Sequence, residues 1–146
     1  MNFDGMKKLI SYSHSDSWIL LSIIYSGVQN GAHLEEIIAA GDFINHAIFT
    51  FEELEGAFAR LSKGKFIRRK GEYFFPSDKT MKFWKENQKA RNYVHKDWER
   101  LNQFIHVKPR DNQVIPQKAN EGVSYKGITR EKYQQAIDRY LVEENK

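Results

Sequence analysis

The chain has 146 residues, 40% of them hydrophobic and none of them cysteine. That is enough for one globular domain with its own core, and it excludes disulfides and thiolate metal sites. The net charge of +4 is unevenly spread: residues 1–59 carry two Lys/Arg against eight Asp/Glu, residues 60–110 carry fifteen against five, and residues 111–146 carry six of each. Basicity confined to the middle of the chain is expected to serve an acidic partner there. Without cysteine the chain needs no oxidising compartment, and a cytoplasmic location is expected.

Met6, Lys7 and Lys8 stand ahead of an apolar run from Trp18 to Tyr25, a faint imitation of a signal peptide. His14 and Asp16 interrupt it, no small-x-small site follows, and the run is far short of the roughly 20 residues that span a bilayer. It reads instead as a buried helix capped by Ser15, Asp16 or Ser17 and covered by its neighbours on most sides; no membrane association is expected. After the turn "NGAH", Leu34, Ile37, Ile38, Gly41 and Ile44 recur at helical spacing, with Asn45 as the left-handed stop.

The third helix has the clearest start in the chain. Thr50 and Glu53 form a capping box, and Phe51, Leu54, Phe58 and Leu61 make one apolar stripe that ends near Lys63. Gly64 stands at the C′ position, with Phe66 folding back on Leu61. "KFIRR" and "EYFF" then flank Lys70–Gly71 as a hairpin that Pro76 closes. Around these elements Trp18, Leu21, Ile24, Ile37, Phe51, Leu54, Phe58, Leu61, Ile67 and Phe74 should form one core.

Ser77 or Asp78 caps a fourth helical segment. Its Met81, Phe83, Trp84, Val94, Trp98, Leu101 and Ile105 share an apolar sector opposite Lys82, Lys85, Lys89, Lys96 and Arg100. Arg91 falls in the apolar sector, which predicts a break in "ENQKARN". Lys108 to Ile128 has two prolines, two glycines and no periodicity, and reads as a loop over the surface. Thr129 caps a last helix, whose Tyr133, Ala136, Ile137, Tyr140 and Leu141 lie on one face. That face must be buried, either on the fourth helix or on a second copy.

Nothing in the chain composes a catalytic or cofactor site. His14, His33, His46, His95 and His106 lack metal-ligand spacing, and there is no Gly-rich phosphate loop or dinucleotide fingerprint. Asp42, Asn45 and His46 in "GDFINH" suit helix termination better than chemistry. No enzyme activity, metal or cofactor is expected.

The order helix, helix, capped helix, hairpin, further helix resembles the winged helix-turn-helix superfamily over roughly Ser15 to Ser77, by pattern rather than by motif. The phrasing "LEEIIAAGDFINHAIFTFEELEGAFARLSKGKFI" looks like a group of small uncharacterised bacterial winged-helix proteins. The resemblance implies a mainly α (α+β) fold, with a three-helix core and a two-stranded wing over residues 1–77. Residues 78–146 would be a C-terminal helical extension packed on the same domain or on a second subunit. It implies a nucleic-acid-binding protein acting in transcriptional regulation, with Glu52, Glu53, Gly56, Arg60 and Lys63 at the groove and Arg68, Arg69 and Lys70 on phosphates.

Glu52, Glu53 and Glu55 crowd the turn that would approach a polyanion, where they suit the helix dipole and capping box instead. Contact with double-stranded DNA is therefore expected from Arg60, Lys63, Lys65, Arg68, Arg69, Lys70, Lys82, Lys85 and Lys89, on the wing and fourth helix. A winged-helix protein-interaction module with an acidic protein partner is the other reading. Tyr73, Phe74 and Phe75 offer stacking surfaces, but alternation assigns at least one to the core. A homodimer through the C-terminal helices is expected.

Overall fold

The computed structural model describes residues 7–8, 11–87, 93–106, 115–116, 125 and 127–144. These form six helices, a two-stranded antiparallel hairpin and a second, two-residue strand pair, β1 (Lys7–Lys8) against β4 (Ile115–Pro116). Helix α1 (His14–Gly27) is the hub: Ile19, Leu20, Leu21 and Ile23 have no solvent exposure, and α2, α3, α5 and the hairpin all pack on it. It starts earlier than the serine and aspartate at 15–17 suggested. Ser13 accepts from the Asp16 N–H at 3.3 Å while the Asp16 carboxylate accepts the Ser13 N–H at 3.0 Å, so the reciprocal box fixes Ser13 as the cap.

Helix α2 (Leu34–Asn45) buries Ile37, Ile38, Gly41 and Ile44. Its left-handed residue is His46 (φ 54°) rather than Asn45, and the His46 N–H closes on the Asp42 carbonyl at 2.7 Å. Helix α3 (Phe51–Lys63) begins with the expected box, Thr50 Oγ1 accepting the Glu53 N–H at 3.0 Å and Glu53 accepting the Thr50 N–H at 2.9 Å. Its far end is a Schellman turn shifted by one residue. Phe66 N–H reaches the Leu61 carbonyl and Lys65 N–H the Ser62 carbonyl, so Lys65 (φ 62°) takes the left-handed position expected of Gly64. Gly64 has an ordinary φ of −80°; it is small because a Cβ there would collide with the Tyr12 hydroxyl.

Strands β2 (Ile67–Lys70) and β3 (Tyr73–Pro76) pair in the register Ile67–Pro76 to Lys70–Tyr73. The turn is therefore Gly71–Glu72, not Lys70–Gly71, with Gly71 (φ 62°) supplying the positive φ at the first loop position. Ala32, in what reads as a plain turn, adds a third rung: Ala32 and Phe74 exchange both backbone hydrogen bonds at 2.9 Å.

The long segment after the hairpin is two helices, α4 (Asp78–Asn87) and α5 (Val94–Ile105), the second entered through an extended Tyr93. The Ser77 hydroxyl caps α4 by accepting the Thr80 N–H. Lys89 and Arg91, and most of the loop expected at 108–128, lie outside the described residues. Leu101 and Ile105 are buried, whereas Phe83, Trp84, Val94 and Trp98 are half-buried.

Helix α6 (Arg130–Glu144) packs within the chain, but on α2 and not on the fourth helical segment. Ala136, Ile137 and Tyr140 are buried there, with Tyr133 donating to the Phe49 carbonyl and Tyr140 to Asp42. Of the face that motivated a dimer, this leaves Leu141 exposed, beside the exposed Val142. All the core residues named from periodicity are buried except Phe51, which is half-buried beneath Tyr133 and the Arg130 guanidinium.

Candidate nucleic-acid interface

The hairpin divides its cations between two faces because side chains alternate along a strand. Arg69 shares a face with its partner Phe74, which is 4% exposed and points at Phe58. Its guanidinium lies 5.5 Å from the Phe74 ring centroid and 5.9 Å from that of Tyr125, and its Nε donates to the Gly71 carbonyl at 2.7 Å. Arg68 and Lys70 occupy the opposite face with Phe75 and Tyr73. There Arg68 stacks 4.4 Å from the Phe75 centroid, and the Tyr73 ring lies 4.2 Å from that of His33. The three wing cations, all exposed, thus do not share one face: Arg68 and Lys70 lie together, and Arg69 lies over Phe74 and Tyr125 on the other.

On α3, the expected groove positions have different fates. Arg60 grips Asp16 with both arms of its fork, Nε to Oδ2 at 2.6 Å and Nη2 to Oδ1 at 2.8 Å. The Asp16 side chain has no exposure and that of Arg60 is 21% exposed, and the hydrogen bond to Asp16 raises the Arg60 pKa against the opposing effect of burial. Gly56 lies under this arm, where a Cβ would meet the guanidinium at 3.0 Å. Glu53 closes the cap and accepts from Ser15 Oγ at 3.1 Å. Glu52 is solvent-facing and pairs with Arg130 of α6; its own backbone N–H, then Arg130, hold its carboxyl below the ordinary value. Of the five, Lys63 is an exposed cation with no carboxylate within ion-pair distance among the described residues.

The remaining expected cations lie beyond the end of α3. Lys65, exposed in its left-handed turn, is near enough to Lys79 to help lower the latter's pKa, although burial is the larger cause. Lys79 rests 4.1 Å from the Phe66 centroid. Lys82 and Lys85 lie on α4, and Lys89 is outside the described residues. Lys63, Lys65, Arg68, Lys70, Lys82 and Lys85 therefore follow one another through the end of α3, the hairpin and α4 as cations without an acid partner among the described residues.

Periodicity did not reveal the cations that α6 brings to α3 and the hairpin. Arg130 on Glu52 and Lys132 on Glu72, the latter at 3.3 Å, neutralise one acid in the first turn of α3 and the acid of the hairpin turn. Half-buried Tyr125 stands edge-on to Phe58 at 5.5 Å. Partners 60 and 78 residues apart leave no local signature.

Among the described residues no cluster of three or more His, Asp or Glu could hold a metal ion, and no helix is long and apolar enough to cross a membrane. Compared with family models, with curated proteins and with solved structures, the chain finds no match.

Proposed function

We propose that the protein is a winged-helix nucleic-acid-binding protein of the cytoplasm, acting in transcriptional regulation, which holds duplex DNA through phosphate contacts. The observation that supports this reading is the set of cations Lys63, Lys65, Arg68, Lys70, Lys82 and Lys85, for none of which an acid partner is found among the described residues. Such cations gain affinity by releasing the counterions condensed on DNA, and they read no sequence. The helix that would read bases presents carboxylates, and its arginine is committed to Asp16. Binding is accordingly sequence-indifferent. A mobility shift with random duplex tests it: retardation at low salt that fades towards about 150 mM supports the reading, and no retardation at any salt refutes it.

The commitment of Arg60 to Asp16 and of Glu53 to the cap favours a second reading, a winged-helix interaction module in which the basic surface meets an acidic protein. The two separate in the same assay, because the module gives no shift with any duplex.

A further inference from the structure

On the side of the molecule built by α2 and α6, the chemistry is reversed. A groove of about 540 Å³ opens between the N-terminal half of α2 and the C-terminal half of α6, with Ala39, Tyr140 and Val142 among its lining residues. Its other residues include Glu35 and Glu36 from α2, and Asp138 and Glu143 from α6. The single cation in that lining, Arg139, lies 3.4 Å from Glu35 and is neutralised by it. Val142 is 58% exposed, and Phe43, one turn beyond Ala39 on the same face of α2, is 66% exposed. Apolar side chains left in water beside two helices are costly unless covered. The last turn of α6 also carries acids and no basic residue, where the helix dipole already concentrates negative potential.

We propose that this groove docks a cationic amphipathic helix from a partner protein, its apolar face on Ala39 and Val142 and extending along α2 towards Phe43, and its Lys/Arg flanks on the carboxylates not paired with Arg139, Glu36 and Asp138 above all. An apolar helical stripe between cationic edges matches an apolar floor between acidic edges, the geometry of helix-in-groove recognition. A symmetric second copy is disfavoured, since a two-fold interface would set these carboxylates against their own equivalents. Nucleic acid is excluded by the same charge. None of its lining residues comes from the hairpin or α4.

The test uses the full chain and a labelled synthetic peptide of Leu and Lys, about 18 residues or roughly five helical turns long, with Leu at i, i+3, i+4 and i+7. The expected result is saturable binding by fluorescence anisotropy that weakens with salt. It should fall roughly tenfold or more with Val142→Asp, and likewise with Asp138→Lys, both at exposed positions, while circular dichroism and duplex retention stay unchanged. Three results would overturn the proposal: equal binding of a scrambled peptide of the same composition, which reports charge attraction alone; parental affinity in both variants; or a parent that sediments as a dimer which Val142→Asp splits, which means a second copy covers the groove.

Discussion

At the residue scale, the most consequential interaction is one that makes a predicted DNA-facing arginine structural. Asp16 is fully buried and is held by Arg60 together with the Ser13 N–H and hydroxyl. Removing the guanidinium leaves a buried carboxylate uncompensated. Arg60→Ala should therefore cost near the lower end of the roughly 3–5 kcal/mol seen for broken buried pairs, since Arg60 keeps part of its side chain in water. Denaturant midpoints check this, and the Asp16→Ala/Arg60→Ala double variant should lose less than the sum of the singles. Local patterning could not disclose the pair, because its members are 44 residues apart.

Asp97 is equally hidden in the sequence: it is 4% exposed and accepts from the Tyr25 hydroxyl at 2.8 Å, 72 residues away. Burial, then this bond, raises the Tyr25 pKa, and burial followed by the Asp16 charge raises that of Tyr12. The folded chain thus keeps phenol protons that the unfolded chain loses near pH 10. Stability from these groups is full below about pH 10 and falls as pH rises from there towards the folded values. Urea midpoints between about pH 8 and 11 should show the decline, and Tyr25→Phe should flatten it.

At the element scale, the sequence was legible wherever the determining chemistry is local. The Thr50–Glu53 box, the apolar stripe of α3, the hairpin and the break before α5 follow from neighbours within a few residues. The errors lie at element ends: Lys65 and His46 adopt left-handed conformations that glycine and asparagine were expected to take, the hairpin turn is shifted by one residue, and α1 is capped at Ser13, ahead of the expected 15–17. The rung at Ala32 was illegible because one residue pairing with a distant strand has no periodicity. Gly41 illustrates packing overriding propensity. Alanine ordinarily favours a helix interior by about 1 kcal/mol over glycine, but a Cβ here would overlap the Phe49 ring. Gly41→Ala should accordingly destabilise, by about 1–3 kcal/mol for overpacking, as read by thermal or urea unfolding.

At the scale of the whole molecule, α1 gathers the other elements, and the chain separates its charge into a basic side and an acidic groove. The sequence disclosed the basic region as a count of residues. Only the fold shows that Arg69 lies over Phe74 and Tyr125 on the other face of the hairpin from Arg68 and Lys70, that Arg60 is committed to Asp16 and that α6 lies on α2 with Arg130 and Lys132 screening acids of α3 and the hairpin. Screening has a consequence for binding: Arg130→Ala would unmask Glu52 and should weaken retention of duplex, whereas Glu52→Gln should strengthen it slightly.

Retention of duplex should rest above all on Arg68, Lys70, Lys82 and Lys85 touching phosphate. The most direct measurement is the slope of log affinity against log salt for random duplex, compared between the parent and a variant with Arg68 and Lys70 changed to Gln. The slope should fall by roughly 0.9 for each phosphate that is no longer neutralised, about 1.8 for the pair, with weaker binding to every sequence alike. An unchanged slope in the variant, or a parent that binds no duplex even at low salt, would contradict phosphate binding by this surface.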